Sequence, residues 1–130
     1  MDLMKACQTA DNFIKIYYKR MDKRRHSMSE LYLEGGLLVW NGIPILGQKT
    51  IQDYFLDLPS SEHRLVSLDT LPVVDEIIRS QPQLLILASG AVSYKLKSSD
   101  VVQRSFHQTL VVTAQGDKWY IVKDSMRQYS

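Results

Sequence analysis

The sequence has 130 residues, 45% of them hydrophobic and 23% charged, with a formal net charge of +2 at pH 7. This length and composition are typical of one globular domain with its own hydrophobic core, which we assign to residues 1–130. The small net charge argues against nucleic acid or a membrane as the main partner, and the single cysteine, Cys7, excludes an internal disulfide and favours a reducing, intracellular compartment.

The first half of the chain predicts three helices. Apolar residues recur at alternating steps of four and three from Leu3 to Met21, the spacing of one buried helix face. A shorter helix is expected over residues 29–33 and a third over residues 50–58. Between them, the dipeptide Asn41-Gly42 is a strong turn signal and predicts a short strand pair.

The first helix ends in the basic sequence KRMDKRRH, residues 19–26. Cations suit the negative end of the helix dipole, so a solvated helix end is the favoured interpretation. A nuclear-localisation signal or a nucleic-acid patch is the alternative.

The second half of the chain predicts long antiparallel strands. They are expected over residues 64–74 and 84–97, joined by a polar connection over residues 75–82. Pro72 places the end of the first of these strands at a sheet edge or a bulge. Gly90 indicates a bulge or a sharp bend in the second. Helices followed by antiparallel strands make an α+β domain.

The chain closes with a predicted hairpin over residues 104–128, in which Gly116 marks the turn because it adopts positive φ without strain. In the favoured register, with a three-residue loop over 114–116, residues of the same parity share a face. A two-residue loop, Gly116-Asp117, is the alternative and regroups the second strand. In the favoured register one face carries Phe106, Gln108, Leu110, Val112, Tyr120, Val122, Asp124 and Met126, and the other carries His107, Thr109, Val111, Trp119, Ile121, Lys123, Ser125 and Arg127.

Both faces of this hairpin carry large apolar side chains, whereas a sheet with one wet face alternates apolar and polar residues. Three helices can cover only one face of a bent sheet. The face that carries Val111, Trp119 and Ile121 is therefore expected to bind a partner, either a second copy or a different chain.

Motifs for metal binding or catalysis are scarce. His26, His63 and His107 are far apart and give no metal-ligand spacing, and neither a phosphate-binding glycine loop nor a nucleophile turn occurs. The sequence also contains no recognisable signal peptide or membrane span. We therefore expect no cofactor.

One carboxylate nevertheless has a candidate chemical role. Asp124 and Gln108, on the face that the helices cover, are expected to meet Tyr17 or Tyr18 from the first helix. A buried carboxylate beside a tyrosine can transfer protons. The favoured interpretation is that Asp124 is hydrogen-bonded, or lies at the rim in water, and that the tyrosines serve packing.

Segments along almost the whole chain resemble the nuclear transport factor 2 family, and within it the messenger-RNA export branch. They are MDKRRHSMSELY (residues 21–32), LVWNG (38–42), LPSSEH (58–63), LDTLPVVDE (68–76) and FHQTLVVTAQ with the closing KDSMR (within 106–127). The resemblance implies a cone-shaped fold, with three N-terminal helices packed in a strongly bent antiparallel sheet whose outer face pairs with a partner.

For function, the resemblance implies a non-enzymatic cofactor that heterodimerises with the matching domain of a nuclear RNA export receptor. The pair would reach Phe-Gly nucleoporins in the nucleus and at the nuclear pore and shuttle to the cytoplasm, without direct contact of this chain with nucleic acid or membrane. The arginine of the family's closing D-x-x-R corresponds to Arg127, which is expected to reach an acidic partner. The expected partner-binding residues are Arg127, Ser125, Lys123, Ile121, Trp119, Val111, Thr109 and His107.

Two alternatives remain at this point. A homodimeric carrier of the GDP form of Ran is similar in fold, but its acidic loop corresponds here to SSDVVQR, in which Asp100 is the only acid. An enzyme of the same cone fold would use Asp124 and a tyrosine, and it predicts a ligand-sized pocket and a raised pKa of Asp124. The sequences IPIL (43–46) and MRQYS (126–130) depart from the export branch, which leaves open which receptor paralogue is served.

Overall fold

The computed structural model describes residues 3–73 and 82–130. Within them the chain forms three helices and six strands. The helices are α1 (Leu3–Lys23), a 3-10 helix (Arg25–Leu31) and α2 (Gln48–Leu56). The strands are β1 (Tyr32–Trp40), β2 (Ile43–Leu46), β3 (Ser60–Val73), β4 (Gln83–Lys95), β5 (Val101–Gln115) and β6 (Lys118–Tyr129).

The strands form one curved, unclosed sheet in the order β2-β1-β6-β5-β4-β3. Consecutive strands from β3 to β6 make an antiparallel meander, and β1 pairs antiparallel with β2. The last strand returns beside β1 and runs parallel to it, so the sheet is mixed instead of wholly antiparallel. The predicted α+β class, with three helices against one bent sheet, is confirmed.

The helices cover the inner, concave face of the sheet. α1 buries one stripe of its surface, as its apolar spacing predicts. The side chains of this stripe are Ala6, Ala10, Phe13, Ile14, Tyr17, Tyr18 and Met21. The 3-10 helix adds Met28 and Leu31, and α2 adds Ile51 and Phe55. Burial of these groups against the inner positions of the strands forms the hydrophobic core.

The ends of the shorter helices differ from the prediction. The second is a 3-10 helix that begins four residues before the predicted range of 29–33. α2 begins and ends two residues earlier than the predicted range of 50–58. The first difference has a physical cause, because the guanidinium of Arg25 is held by carbonyl oxygens that follow α2. The connection predicted over 75–82 lies outside the described residues, apart from Pro82.

The predictions of an edge strand and of a bulge are confirmed, but the extra residue of the bulge lies on β3 and not on β4. β3, which carries Pro72, is an edge strand. Gly90 pairs with Leu65 where the register between β3 and β4 shifts, and Val66 on β3 is the extra residue. A Cβ atom on Gly90 would lie 2.1 Å from the carbonyl oxygen of Arg64, so the strands approach more closely than any other residue permits.

The hairpin adopts the alternative turn. Gln115 pairs with Lys118, so the loop is the two-residue Gly116-Asp117, with φ of 64° at Gly116. A bulge then follows, because Val112 pairs with Ile121 whereas Val111 pairs with Lys123. The favoured three-residue loop is therefore wrong, and the side chains of β6 before the bulge face the opposite way from the prediction, whereas those after the bulge face as predicted.

Candidate partner-binding face

The outer face of the sheet carries two rows of side chains that cross all six strands, the first largely apolar and the second half apolar. Side chains alternate between the two faces of a strand, so the residues next to core positions along a strand point outward. The first row contains Leu46, Leu37, Lys123, Val111, Leu85 and Leu71. The second contains Pro44, Val39, Ser125, Thr109, Leu87 and Asp69. Leu71 and Leu46 are more than half exposed, and Leu87 is 38% exposed on an interior strand.

Six of the eight predicted partner-binding residues lie on this outer face, on β5 and β6. They are His107, Thr109, Val111, Lys123, Ser125 and Arg127. Ile121 does not, because the bulge turns its side chain into the core, where it is 0% exposed. Trp119 points to the same side as Ile121 and packs partly against the core. The placement of these two residues on the outer face is therefore wrong.

The outer face also includes apolar residues beyond the predicted set. Leu85 and Leu87 follow from the apolar pattern at the start of β4, whose second face is apolar as well. Leu37 and Val39 join the face because β1 pairs in parallel with β6. No local pattern in the sequence indicates that pairing, so these two residues could not be assigned to the face beforehand.

Arg127 lies at one end of the face, beside the turn between β1 and β2. The turn residue Asn41 donates from its backbone N–H to the carbonyl of Met126 at 2.9 Å, and its Oδ1 accepts from the backbone N–H of Gln128 at 2.7 Å. The Arg127 Nη2 atom lies 3.7 Å from where a Cβ of Gly42 would stand. The Arg127 side chain is thus placed by a braced turn and stays exposed.

On the inner face, Asp124 is the centre of a buried polar network. Its Oδ2 accepts hydrogen bonds from the hydroxyls of Tyr17 at 2.9 Å and Tyr32 at 2.6 Å. Its Oδ1 accepts from Nε2 of Gln108 at 2.9 Å, and Oε1 of Gln108 accepts from the Tyr18 hydroxyl at 2.7 Å. The predicted meeting of Asp124 and Gln108 with Tyr17 and Tyr18 is confirmed. Tyr32, from the other side of the core, was not predicted.

Burial sets the protonation chemistry of this network. It raises the pKa of Asp124 above its ordinary value, and hydrogen bonds from Tyr32, Gln108 and Tyr17 offset only part of that rise. Burial, followed by the charge of Asp124, holds the pKa of Tyr17 and of Tyr32 well above the usual value. The raised pKa of Asp124 agrees with what an enzyme of this fold predicts.

The geometry, however, seals the carboxylate from any substrate. Asp124, Tyr17 and Tyr32 are 0% exposed, and Gln108 is 1% exposed. A general acid or base must come within hydrogen-bond reach of the proton it transfers. A groove of about 660 Å³ does open between α1, the 3-10 helix and the start of β6, but Asp124 does not line it. The network therefore satisfies polar groups in the core, as the favoured interpretation of Asp124 expects.

The basic cluster at the end of α1 is partly structural. The guanidinium of Arg25 donates to the carbonyls of Leu58 at 2.6 Å and Pro59 at 2.8 Å, and to Oγ of Ser61 at 2.9 Å. Arg20 pairs with Glu30 at 3.0 Å. A wholly solvated helix end is therefore wrong for these two arginines, which fasten α1 to the 3-10 helix and to the start of β3.

A second polar cluster joins the same elements. The carboxylate of Asp22 accepts from the backbone N–H of His63 at 2.8 Å and from the Ser61 hydroxyl at 2.8 Å, and Nδ1 of the His63 ring lies 2.7 Å away. Burial alone would raise the pKa of Asp22, but the hydrogen bonds and charge of His63 outweigh it and lower the pKa. Between residues 3–73 and 82–130, no group of side chains could hold a metal ion.

Helices that could cross a bilayer are likewise absent from the part of the chain that the structure describes.

Comparison with known proteins then places the fold. The profile of the Nuclear transport factor 2 (NTF2) domain matches residues 9–128. NTF2-related export protein 1 of Bos taurus is 38% identical over 126 residues, which cover 94% of this chain and 87% of that protein.

Solved structures agree at lower sequence identity. Nuclear transport factor 2 from Cryptosporidium parvum superposes with a TM-score of 0.78 at 18% identity, over 95% of this chain and 94% of that one. A chain of the C. albicans Mtr2-Mex67 M domain complex superposes with a TM-score of 0.75 at 16% identity, over 95% and 94%. At such identities the superpositions show the fold alone.

Proposed function

Since this chain belongs to the nuclear transport factor 2 family, we propose that it is a non-enzymatic cofactor of messenger-RNA export that heterodimerises with the NTF2-like domain of a nuclear RNA export receptor. The observation that carries the proposal is the outer face of the sheet, where apolar rows remain uncovered. The names of the relatives, which are export proteins, and the occurrence of this fold in a two-protein complex support the same role.

The outer face has the composition of an interface core. The helices pack on the other side of the sheet, so nothing within the described residues covers Leu85, Leu87 or Val111. Apolar side chains on adjacent interior strands form a contiguous patch, and monomeric proteins rarely expose large patches of this kind. A second sheet laid on this face would bury these rows and leave charged groups such as Arg127 near the rim.

Arg127 supplies a polar contact at one end of this face. Its guanidinium is a planar fork that matches a carboxylate with two parallel hydrogen bonds. The braced turn at Asn41 fixes the backbone on both sides of Arg127, so the origin of its side chain is set before a partner binds. We propose that Arg127 binds an acidic residue of the receptor, and that Ser125, Thr109 and His107 line the contact beside it.

The site of action follows from this pairing. As a subunit of an export receptor, the chain would act in the nucleus and at the nuclear pore and shuttle to the cytoplasm. Contact with Phe-Gly nucleoporins would come through the heterodimer. Proton-transfer chemistry is not part of the proposal, because Asp124 has no exposed surface.

The experiment measures the mass of the purified chain in solution, alone and mixed with the NTF2-like domain of an export receptor from the same organism. The proposal expects a one-to-one complex. Leu87→Arg should abolish it, because a buried unpaired cation replaces an apolar contact. Leu56→Arg is the matched control, since Leu56 is exposed on α2, away from the outer face. A stable homodimer that ignores the receptor domain would contradict the proposal and favour a carrier of Ran.

A further inference from the structure

The outer face of the sheet distributes its charges unevenly. Lys123 and Arg127 are exposed on β6, one of the two middle strands. Carboxylates occur on the outer face of β3, at the sheet edge, where Glu62 and Asp69 are exposed together with Arg64. The outer positions of β4, β5 and β6, strands that the structure describes in full, hold no aspartate or glutamate. The middle of the face is therefore positive.

Lys123 is set among apolar neighbours. Its partners across the strands are Leu37 on β1 and Val111 on β5, and Leu85 follows on β4. Neighbouring strands lie about 4.8 Å apart, so the edge strand that carries Glu62 and Asp69 is three strands and about 14 Å away. Among residues 3–73 and 82–130, none forms an ion pair with Lys123.

We propose that the partner covering this face presents a carboxylate opposite Lys123, in addition to the acid opposite Arg127. This inference rests on the proposed function and specifies the chemistry of its partner. A partner that buries the apolar row must remove water from the ammonium of Lys123. An ammonium buried without a counter-charge strongly destabilises an interface, whereas a facing carboxylate compensates for the lost hydration.

The spacing along β6 adds a geometric condition. Lys123, Ser125 and Arg127 follow the bulge and point to the same face. Four residues of extended strand separate the two cations by about 13 Å. The partner surface must therefore hold two carboxylates about 13 Å apart, one amid apolar side chains and one near the rim.

A second copy that sets its own β5 and β6 against these strands does not meet that condition. A symmetric dimer sets the same patch of each subunit against itself. The middle strands of a second copy would offer Lys123 and Arg127, and no carboxylate, to the same two residues. Like charges at a buried contact disfavour a partner, so the middle strands select against pairing with their own copies as well as for an acidic chain.

The test compares Lys123→Met, Lys123→Glu and Lys123→Arg in binding to the receptor's NTF2-like domain by titration calorimetry. Met keeps most of the length of the side chain and removes its charge, and Lys123 is exposed, so the fold is retained. We expect Lys123→Met to weaken binding by about thirtyfold, Lys123→Glu to weaken it by more than about a hundredfold, and Lys123→Arg to retain it. Lys97→Met, in the turn between β4 and β5, is the control.

The outcomes separate the two proposals. A receptor domain that binds Lys123→Met as tightly as the wild-type chain, or more tightly, overturns the facing carboxylate and leaves the proposed function intact. If the receptor domain binds neither the wild-type chain nor Lys123→Met, the proposed function is wrong. The inference is then decided by sedimentation of this chain alone: Lys123→Met should self-associate more strongly than the wild-type chain, and equal self-association would overturn it.

Discussion

Replacement of Asp124 by asparagine tests whether the buried network is structural. The change keeps the shape of the side chain but removes one acceptor and the negative charge. The amide oxygen of the introduced asparagine can still accept from Tyr17 and Tyr32, but its NH₂ group then faces the donor Nε2 of Gln108. Rotation of the Gln108 amide by half a turn relieves this conflict, because the Tyr18 hydroxyl can accept as well as donate.

The magnitude follows from the number of donors left without an acceptor. With Gln108 rotated, Asp124→Asn loses about one hydrogen bond and should cost about 1–2 kcal/mol at low pH. Asp124→Ala leaves three buried donors unsatisfied and opens a cavity. At about 1–3 kcal/mol for each donor, that variant loses about 3–9 kcal/mol, which is comparable to the whole stability of a domain.

The difference between the wild-type chain and Asp124→Asn should depend on pH. The folded pKa of Asp124 is raised by burial, so in the window between the unfolded pKa, near 4, and the raised value the folded chain keeps a proton that the unfolded chain releases. The contribution of Asp124 is therefore full below the unfolded pKa and is lost as the pH rises through the folded pKa. Asparagine does not titrate, so the stability gap should narrow between about pH 4 and about pH 7.

Urea unfolding, followed by the fluorescence of the buried Trp40, measures both effects. The wild-type chain, Asp124→Asn and Asp124→Ala are compared at the two pH values. A gap between the wild-type chain and Asp124→Asn that does not change with pH would refute a raised pKa. Equal destabilisation by the asparagine and alanine variants would refute the rearrangement of Gln108 on which the smaller figure depends.

Three further predictions concern the contacts that fix the fold. Arg25→Lys should lower the free energy of unfolding by about 2–4 kcal/mol in urea titrations, because one ammonium cannot reach the carbonyls that the guanidinium spans. Gly90→Ala should cost about 1–3 kcal/mol or more, since its Cβ meets the backbone of β3, whereas Gly35→Ala, with open space around it, should cost little; equal losses would contradict the close approach. Burial would raise the pKa of Asp22, but His63 lowers it, so Asp22 stabilises the fold above its unfolded pKa of about 4 and this stabilisation is lost as the pH falls. Asp22→Asn does not titrate, so the stability of this variant should fall less than that of the wild-type chain when the pH drops below about 4.

Features that depend on local chemistry could be predicted from the sequence. The apolar spacing of α1 places its buried stripe correctly, because the helix period fixes which residues share a face. Pro72 and Gly90 indicate the edge strand and the bulge, since each restricts the backbone in its own way. Asp124 could be expected to meet a tyrosine because a carboxylate on a covered face needs donors.

Features that depend on pairing between distant parts of the chain could not be predicted from the sequence. The basic sequence at the end of α1 carries no sign that Arg25 binds carbonyls more than thirty residues away. The parallel pairing of β1 with β6 joins strands from opposite ends of the chain, so Leu37 and Val39 were absent from the predicted face. In the closing hairpin, the turn length and the bulge together decide which residues of β6 face the core, and the sequence does not indicate which turn and bulge occur together.

The bulge in β6 determines which residues this chain presents to a partner. Without the bulge, Val122 would pair with Val111, the pairing set by the Gly116-Asp117 turn would continue, and Asp124 would pair with Thr109, an outward position. Lys123 would then point into the core and Asp124 toward solvent, because neighbours on a strand face opposite sides. The bulge, in which Val122 is left unpaired, thus directs the carboxylate to the tyrosines of the core and the cations to the outer face. The interior polar network and the proposed interface therefore depend on the same local irregularity, and a change in turn length at Gly116 should disturb both together.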